Sequence, residues 1–186
     1  MQFQKTIPFQ GAVVPVDVVS DRYIFDSEVL AAGAHSEQAF FVTKAAKSWA
    51  QANFEGDQSL VSEGRIFEVL GIYIYFEQVS AVKNISDASL VFNSGYYEWS
   101  TQGVLTDRDW MHQMIGSVDL YDAAGVVTPF QGDGAHANIR KYAISRFVPG
   151  GRSIEFRIVW PGSITLAQDT ILKVRLYGYE EIPRTI

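Results

Sequence analysis

Residues Arg65–Gln78 read RIFEVLGIYIYFEQ, and the fold turns on how this stretch is read. It holds three Ile, two Phe, two Tyr, one Val and one Leu in fourteen positions. β-Branched and aromatic side chains fit a pleated, half-buried surface. One set of alternate positions is Ile66, Glu68, Leu70, Ile72, Ile74 and Phe76. The other is Phe67, Val69, Gly71, Tyr73 and Tyr75. Both sets are mostly apolar, which predicts a central strand covered on both faces over much of its length. A buried helix can share the composition, but the β-branched density and the mid-run Gly71 favour a strand.

The flanking sequence extends the β reading. Towards the C-terminus, Arg152–Trp160 alternates, with Ile154, Phe156, Ile158 and Trp160 on one side and Glu155 and Arg157 on the other; Pro161-Gly162 is expected to end it. Thr170–Tyr179 sets Leu172, Val174 and Leu176 against Lys173, Arg175 and Tyr177. Such alternation marks antiparallel strands with one buried face. Asn138–Phe147 reads as a further strand, closed by a Pro149-Gly150-Gly151 turn. Ile115–Tyr121 is another, and Ala123–Asn138 is a long loop with Gly125, Pro129, Gly132 and Gly134. Tyr96–Ser100 is a strand in which Tyr97 and Trp99 share one face, read as core, and Tyr96 and Glu98 the other, read as interface. Ala88–Asn93 reads as its partner across a Ser94-Gly95 break. Thr106-Asp107-Arg108-Asp109 has the spacing of a capping box, so a short helix is expected there. Towards the N-terminus, Arg22–Ala31 and Gln38–Val42 read as strands, and Thr43–Asn53 as a short helix capped by Thr43.

These readings assemble into one all-β domain over residues 22–180. It is an antiparallel two-sheet sandwich, an eight-stranded jelly roll with one or two short helices in its loops. Residues 1–21 form an extended arm, because Pro8 and Pro15 bar a central strand. Residues 181–186 form an extended tail.

Composition sets the outer limits. The chain has 186 residues, 47% hydrophobic and 19% charged, enough for one full core. The net charge of −6 argues against general nucleic-acid binding. Residues 1–137 carry 7 Lys+Arg and 17 Asp+Glu, whereas residues 138–186 carry 8 and 4, so the halves have opposite sign. An acidic part and a basic part on one molecule can favour head-to-tail self-association; the plainer alternative is chance placement on solvated strand faces. There is no cysteine, which excludes disulfides, thiolate nucleophiles and Cys-based zinc sites. No signal peptide and no transmembrane helix are expected.

The chemistry of known sites is sparse. His35, His112 and His136 are scattered, and no His-X-His pair of the cupin type occurs. The loop Gln131–His136 has one carboxylate, where a calcium loop needs several. No Gly-X-Ser-X-Gly elbow and no phosphate-binding glycine loop is present. Glu68 with Glu77, or Asp119 with Glu155, would be the acid pairs of a glycoside hydrolase if they converged. No metal, no cofactor and no enzymatic activity are expected.

With its Pro-bearing apolar arm, extended tail, split charge and lack of a catalytic cluster, the chain resembles single jelly-roll major capsid proteins of tailless icosahedral bacteriophages over residues 22–180. The resemblance implies a virion protein, assembled in the host cytoplasm, that packs side by side with many copies of itself and with other virion proteins. It implies no direct contact with nucleic acid, and fits a shell lying over an internal membrane without inserting into it. The assembly contacts are then expected at Phe3, Ile7 and Phe9 of the arm, at Tyr96, Glu98 and Arg157, at Lys173 and Arg175, and at Ile182 and Ile186 of the tail. Two other readings fit the same strand pattern. One is a sandwich recognising carbohydrate or a receptor through Tyr96–Trp99 and the 123–138 loop. The other is a cupin-like or glycan-active enzyme.

Overall fold

The computed structural model describes residues 6–9, 12–80, 84–114, 119–121, 127–129 and 139–184. The strands are β1 (Thr6–Phe9), β2 (Ala12–Leu30), β3 (Gly33–Phe40), β4 (Ile66–Gln78), β5 (Tyr96–Thr101), β6 (Val104–Trp110), β7 (Asp119–Tyr121), β8 (Val127–Pro129), β9 (Ile139–Pro149), β10 (Ile154–Leu166) and β11 (Thr170–Pro183). One helix, α1 (Ile85–Ser94), and a 3-10 turn at Met111–Gln113 join them.

Two antiparallel sheets make a sandwich. One has the order β1-β2-β11-β4-β9 and the other β3-β10-β5-β6; β7 and β8 pair separately. The pairings nest: β2 with β11, β3 with β10, β4 with β9, β5 with β6. The chain is therefore one long hairpin rolled up, which is the jelly-roll order. At the tip of the roll, β5 and β6 meet through Gln102 and Gly103, both at positive φ. Two consecutive positive-φ residues match the right-handed twist of a tight hairpin.

The core lies between the sheets. Ile24, Leu172, Val174, Leu176, Ile72 and Ile74 face it from one side; Phe40, Tyr97, Trp99, Phe156, Ile158 and Trp160 face it from the other. The β10 and β11 alternations hold as read. The β4 alternation does not, because its parity switches. Phe67 and Val69 belong to the core, and so do Ile72 and Ile74. Gly71 pairs with Tyr177, and Val69 with the next residue, Gly178, so Leu70 has no partner across the ladder. This is a bulge, and one extra residue flips every side chain beyond it.

Local expectations fail in three places, each for a tertiary reason. Ala88–Asn93 lies in α1, where Ala88, Val91 and Phe92 form a helical stripe onto the core. Asn84 caps the helix by accepting from the Ser86 amide at 3.0 Å. Residues 106–109 are strand, not helix, because the Asp107 carboxylate accepts from the phenols of Tyr97 (2.8 Å) and Tyr142 (2.7 Å). Thr43–Asn53 makes turns, not a helix. Asn53 lies along β2, accepting from Phe25 N at 2.6 Å and donating to Tyr23 O at 2.8 Å.

Strand limits shift as well. β2 runs through the 21/22 position without a break and pairs with β11 as far as Val16 opposite Pro183. β10 continues past Pro161-Gly162, which mark a register shift between Val159 and Ile164. The 123–138 loop contains β8, and the rest of it lies outside the described residues.

Candidate interaction surfaces

The sandwich presents two broad faces, each built by one sheet. On the four-stranded sheet, β10 lies between β3 and β5, which sets Arg157 opposite Ala39 and Glu98. β6 then brings Arg108 opposite Glu98. Glu98 is only 5% exposed. Its carboxylate accepts from Arg108 Nε at 2.7 Å and also from Arg157. Burial alone would raise its pKa, but the two guanidiniums hold it below the usual carboxylate value. Arg157 reaches Glu37 as well, at 3.7 Å. Tyr96 packs edge-on against Trp110, with the Arg108 guanidinium 5.4 Å from its ring. Glu98, Ser100, Leu105, Arg108, Glu155 and Arg157 line a shallow cleft of about 240 Å³.

The opposite face belongs to the five-stranded sheet. The β2–β11–β4 register lines up Phe25 with Arg175 and Tyr73, and Tyr23 with Tyr177 and Gly71. The Tyr177 ring occupies the space above Gly71, where a Cβ would lie 2.4 Å from Cε1. Tyr73 meets Tyr23 and Tyr177 edge-on and stacks with Tyr75. Its pKa is pushed up to about 12, first by burial and then by hydrogen bonding to Tyr23. The Arg175 guanidinium lies 4.5 Å from the Tyr75 ring and 5.8 Å from Phe25, and the Lys173 ammonium 5.0 Å from Phe25. Burial, then the charge of Arg175, lowers the Lys173 pKa.

Behind these faces, Asp107 ties β6 to β5 and β9. Its carboxylate accepts hydrogen bonds from both phenols, while Trp99 Nε1 donates to Tyr142 Oη at 3.1 Å. Burial, with the negative charge of Asp107 among the further causes, keeps Tyr97 and Tyr142 protonated far above the ordinary phenol range.

The expected interface residues thus separate. Tyr96, Glu98 and Arg157 come together on one face, and Lys173 and Arg175 on the other. Ile182 is 40% exposed at the end of β11. Ile7 and Phe9 lie in β1, hairpinned onto β2, with their side chains outside the described set; Phe3 and Ile186 are outside it altogether. Sequence reading missed Arg108 and Trp110, hidden by the expected helix, and the Tyr23–Phe25–Tyr73–Tyr75 bed. The β4 bulge concealed the bed, although Tyr73 and Tyr75 share a parity and pointed to a common face.

Of the candidate acid pairs, Glu68 and Glu77 do not meet: they are nine residues apart along β4, roughly 30 Å. Glu68 accepts instead from Ser145 Oγ at 2.6 Å. The side chain of Asp119 is not among those described. His35 contacts Ala31 O, and His112 packs against Trp110. Among the described residues no group of three His, Asp or Glu is placed to hold a metal ion, and no helix is long and apolar enough to cross a membrane. Comparison with protein-family models, curated proteins and solved structures finds no match to this chain.

Proposed function

We propose that the chain is a structural virion protein that self-assembles into an icosahedral capsid shell, as the major capsid protein of a bacteriophage. The observation that carries the reading is the rolled strand order, β2-β11-β4-β9 against β3-β10-β5-β6. A sandwich of this kind has flat sides that tile, and its outermost strands leave backbone groups for neighbours to cover. Large apolar side chains stand exposed along β6 and β9, an edge strand of each sheet, namely Val104, Leu105, Trp110 and Ile144. They fit side-by-side contact with further copies in a virion assembled in the host cytoplasm. A carbohydrate platform over Tyr96–Trp99 is disfavoured, because Tyr97 and Trp99 are buried in the core.

The test is the mass of the purified protein by light scattering, with negative-stain microscopy. Closed particles many times the 20.8 kDa chain mass are expected. A monodisperse monomer that instead binds on a glycan array would overturn the reading in favour of a binding module. Deletion of residues 1–11 then asks what β1 does. Particle formation is expected to fail while the melting temperature holds, since β2 keeps its ladder to β11. A truncated chain that assembles normally would remove the arm from the proposal.

A further inference from the structure

We propose that the outer face of the five-stranded sheet binds single-stranded nucleic acid, with Lys173 and Arg175 taking backbone phosphates and Tyr23, Tyr75 and Tyr177 offering rings to the bases. Three cations of the basic C-terminal segment are matched by acids: Arg157 by Glu98 and Glu37, Arg140 by Asp109, and Arg184 by Asp17; Arg65 and Arg22, from the N-terminal part, share Glu180. Lys141, Arg146, Arg152, Lys173 and Arg175 have no carboxylate within ion-pair distance among the described residues, and of these Lys173 and Arg175 are half-buried neighbours on one face of β11. Glu77 is the acid whose field reaches Lys173, and Glu28 on β2 is bound by Lys47.

Two adjacent, partly desolvated like charges repel one another, and a bound anion relieves that repulsion. Both rest on ring faces rather than on acids. Tyr23 is 44% exposed, and Tyr75 and Tyr177 are half-exposed on the same surface. Cations interleaved with aromatic rings on an open sheet supply the two elements of single-strand binding, phosphate neutralisation and base stacking. The face runs against the expectation drawn from the net charge of −6. At 0.1 M salt the screening length is about 10 Å, so acids elsewhere on the molecule are largely invisible to a ligand bound here.

The probe is a fluorescently labelled oligothymidylate, titrated with the full chain across a salt series, with particle mass followed by light scattering in the same samples. Binding is thereby scored whether or not shells form. Two phosphate contacts predict a slope of log affinity against log salt near −1.4, about −0.7 for each. Lys173→Gln and Arg175→Gln should each remove about half the slope, and the double variant should abolish binding. Tyr23→Ser should weaken it by roughly 5- to 150-fold. The same oligonucleotide should protect Lys173 of the unaltered chain from amine acylation, read by mass spectrometry, which needs no variant to fold. Absence of binding at low salt, binding indifferent to the double variant with Lys173 unprotected, or binding to anionic lipid vesicles but not to the oligonucleotide would each overturn the proposal.

Discussion

Truncating Phe156 to alanine tests the register of the whole second sheet. On β10, Phe156 faces Phe40 on β3 and Trp99 on β5, and it is 1% exposed. Its ring meets Phe40 at 6.1 Å, Phe41 at 6.2 Å and Tyr97 at 5.8 Å between centroids. Removing it forfeits buried area, leaves a cavity and breaks three ring contacts, for a cost of about 3–5 kcal/mol. Ile158→Ala, two residues on and equally buried, should cost about 2–5 kcal/mol. Arg157 lies between them on the other side of the sheet and is half exposed. Its loss leaves Glu98 still bound by Arg108, so Arg157→Ala should cost no more than about 1 kcal/mol. In a domain of this size each kcal/mol moves the melting temperature by about 2–4 °C. Phe156→Ala should therefore melt roughly 6–20 °C below the parent, and Arg157→Ala within about 4 °C of it. Thermal melts by circular dichroism, with urea titrations beside them, supply the measurement. Equal losses in all three variants would refute both the register and the one-sided burial.

Other outcomes follow from the same packing. A Cβ on Gly178 would lie 1.8 Å from the Glu68 carbonyl oxygen, whereas one on Gly71 meets the Tyr177 ring at 2.4 Å and Arg140 O at 2.6 Å. Gly178→Ala should thus destabilise at least as much as Gly71→Ala, each by about 1–3 kcal/mol or more. Gly162→Ala, with open space around it, should stay within about 0.5 kcal/mol, and a comparable loss there would discredit the packing argument. Because the folded-state pKa of Glu98 is depressed, its contribution is complete above the unfolded value of about 4.3 and is lost as pH falls through the folded value. The stability gap between the parent and Glu98→Gln should be constant at neutral pH and narrow in acid; a gap that widens there would show that Glu98 is not held ionised. Excess chelator should leave the melting temperature unchanged, and a fall reversed by added divalent ion would reveal a structural metal.

The strands that could be read were those whose burial repeats at the period of the backbone. Leu172, Val174 and Leu176, or Phe156 and Ile158, declare one face without knowledge of their partners. The rest was hidden because partners distant in sequence decide it. Leu70 becomes an unpaired bulge residue only against β11, and with it the Tyr73 and Tyr75 rings turn outward. Asp107 looks like part of a helix start until Tyr142, thirty-five residues on, takes its carboxylate. Of the interface set, Glu98 and Arg157 shared a face by register with no clue in either local stretch. The α1 helix did carry a local signal, the Asn84 cap with Asp87 in its first turn, and the apolar run that followed masked it.

The same nesting explains what becomes of the opposite charges on the two parts of the chain. A chain folded end to end would keep its acidic and basic segments apart and attract copies head to tail. Here β9, β10 and β11, which carry most of the basic segment, are each hydrogen-bonded to strands of the acidic one. Arg140 reaches Asp109, Arg157 reaches Glu98 and Arg184 reaches Asp17, so much of the split is spent within one subunit. In the proposed shell, side-by-side contact would therefore rest more on the apolar side chains of β6 and β9 than on a long-range dipole. Particle formation should accordingly tolerate salt, and Ile144→Ser or Leu105→Ser should suppress it without lowering the melting temperature, since both side chains are already exposed. Assembly that dissolves on raising salt to about 1 M, where screening acts within about 3 Å, while surviving both serine variants, would return the charge split to the centre of the interface.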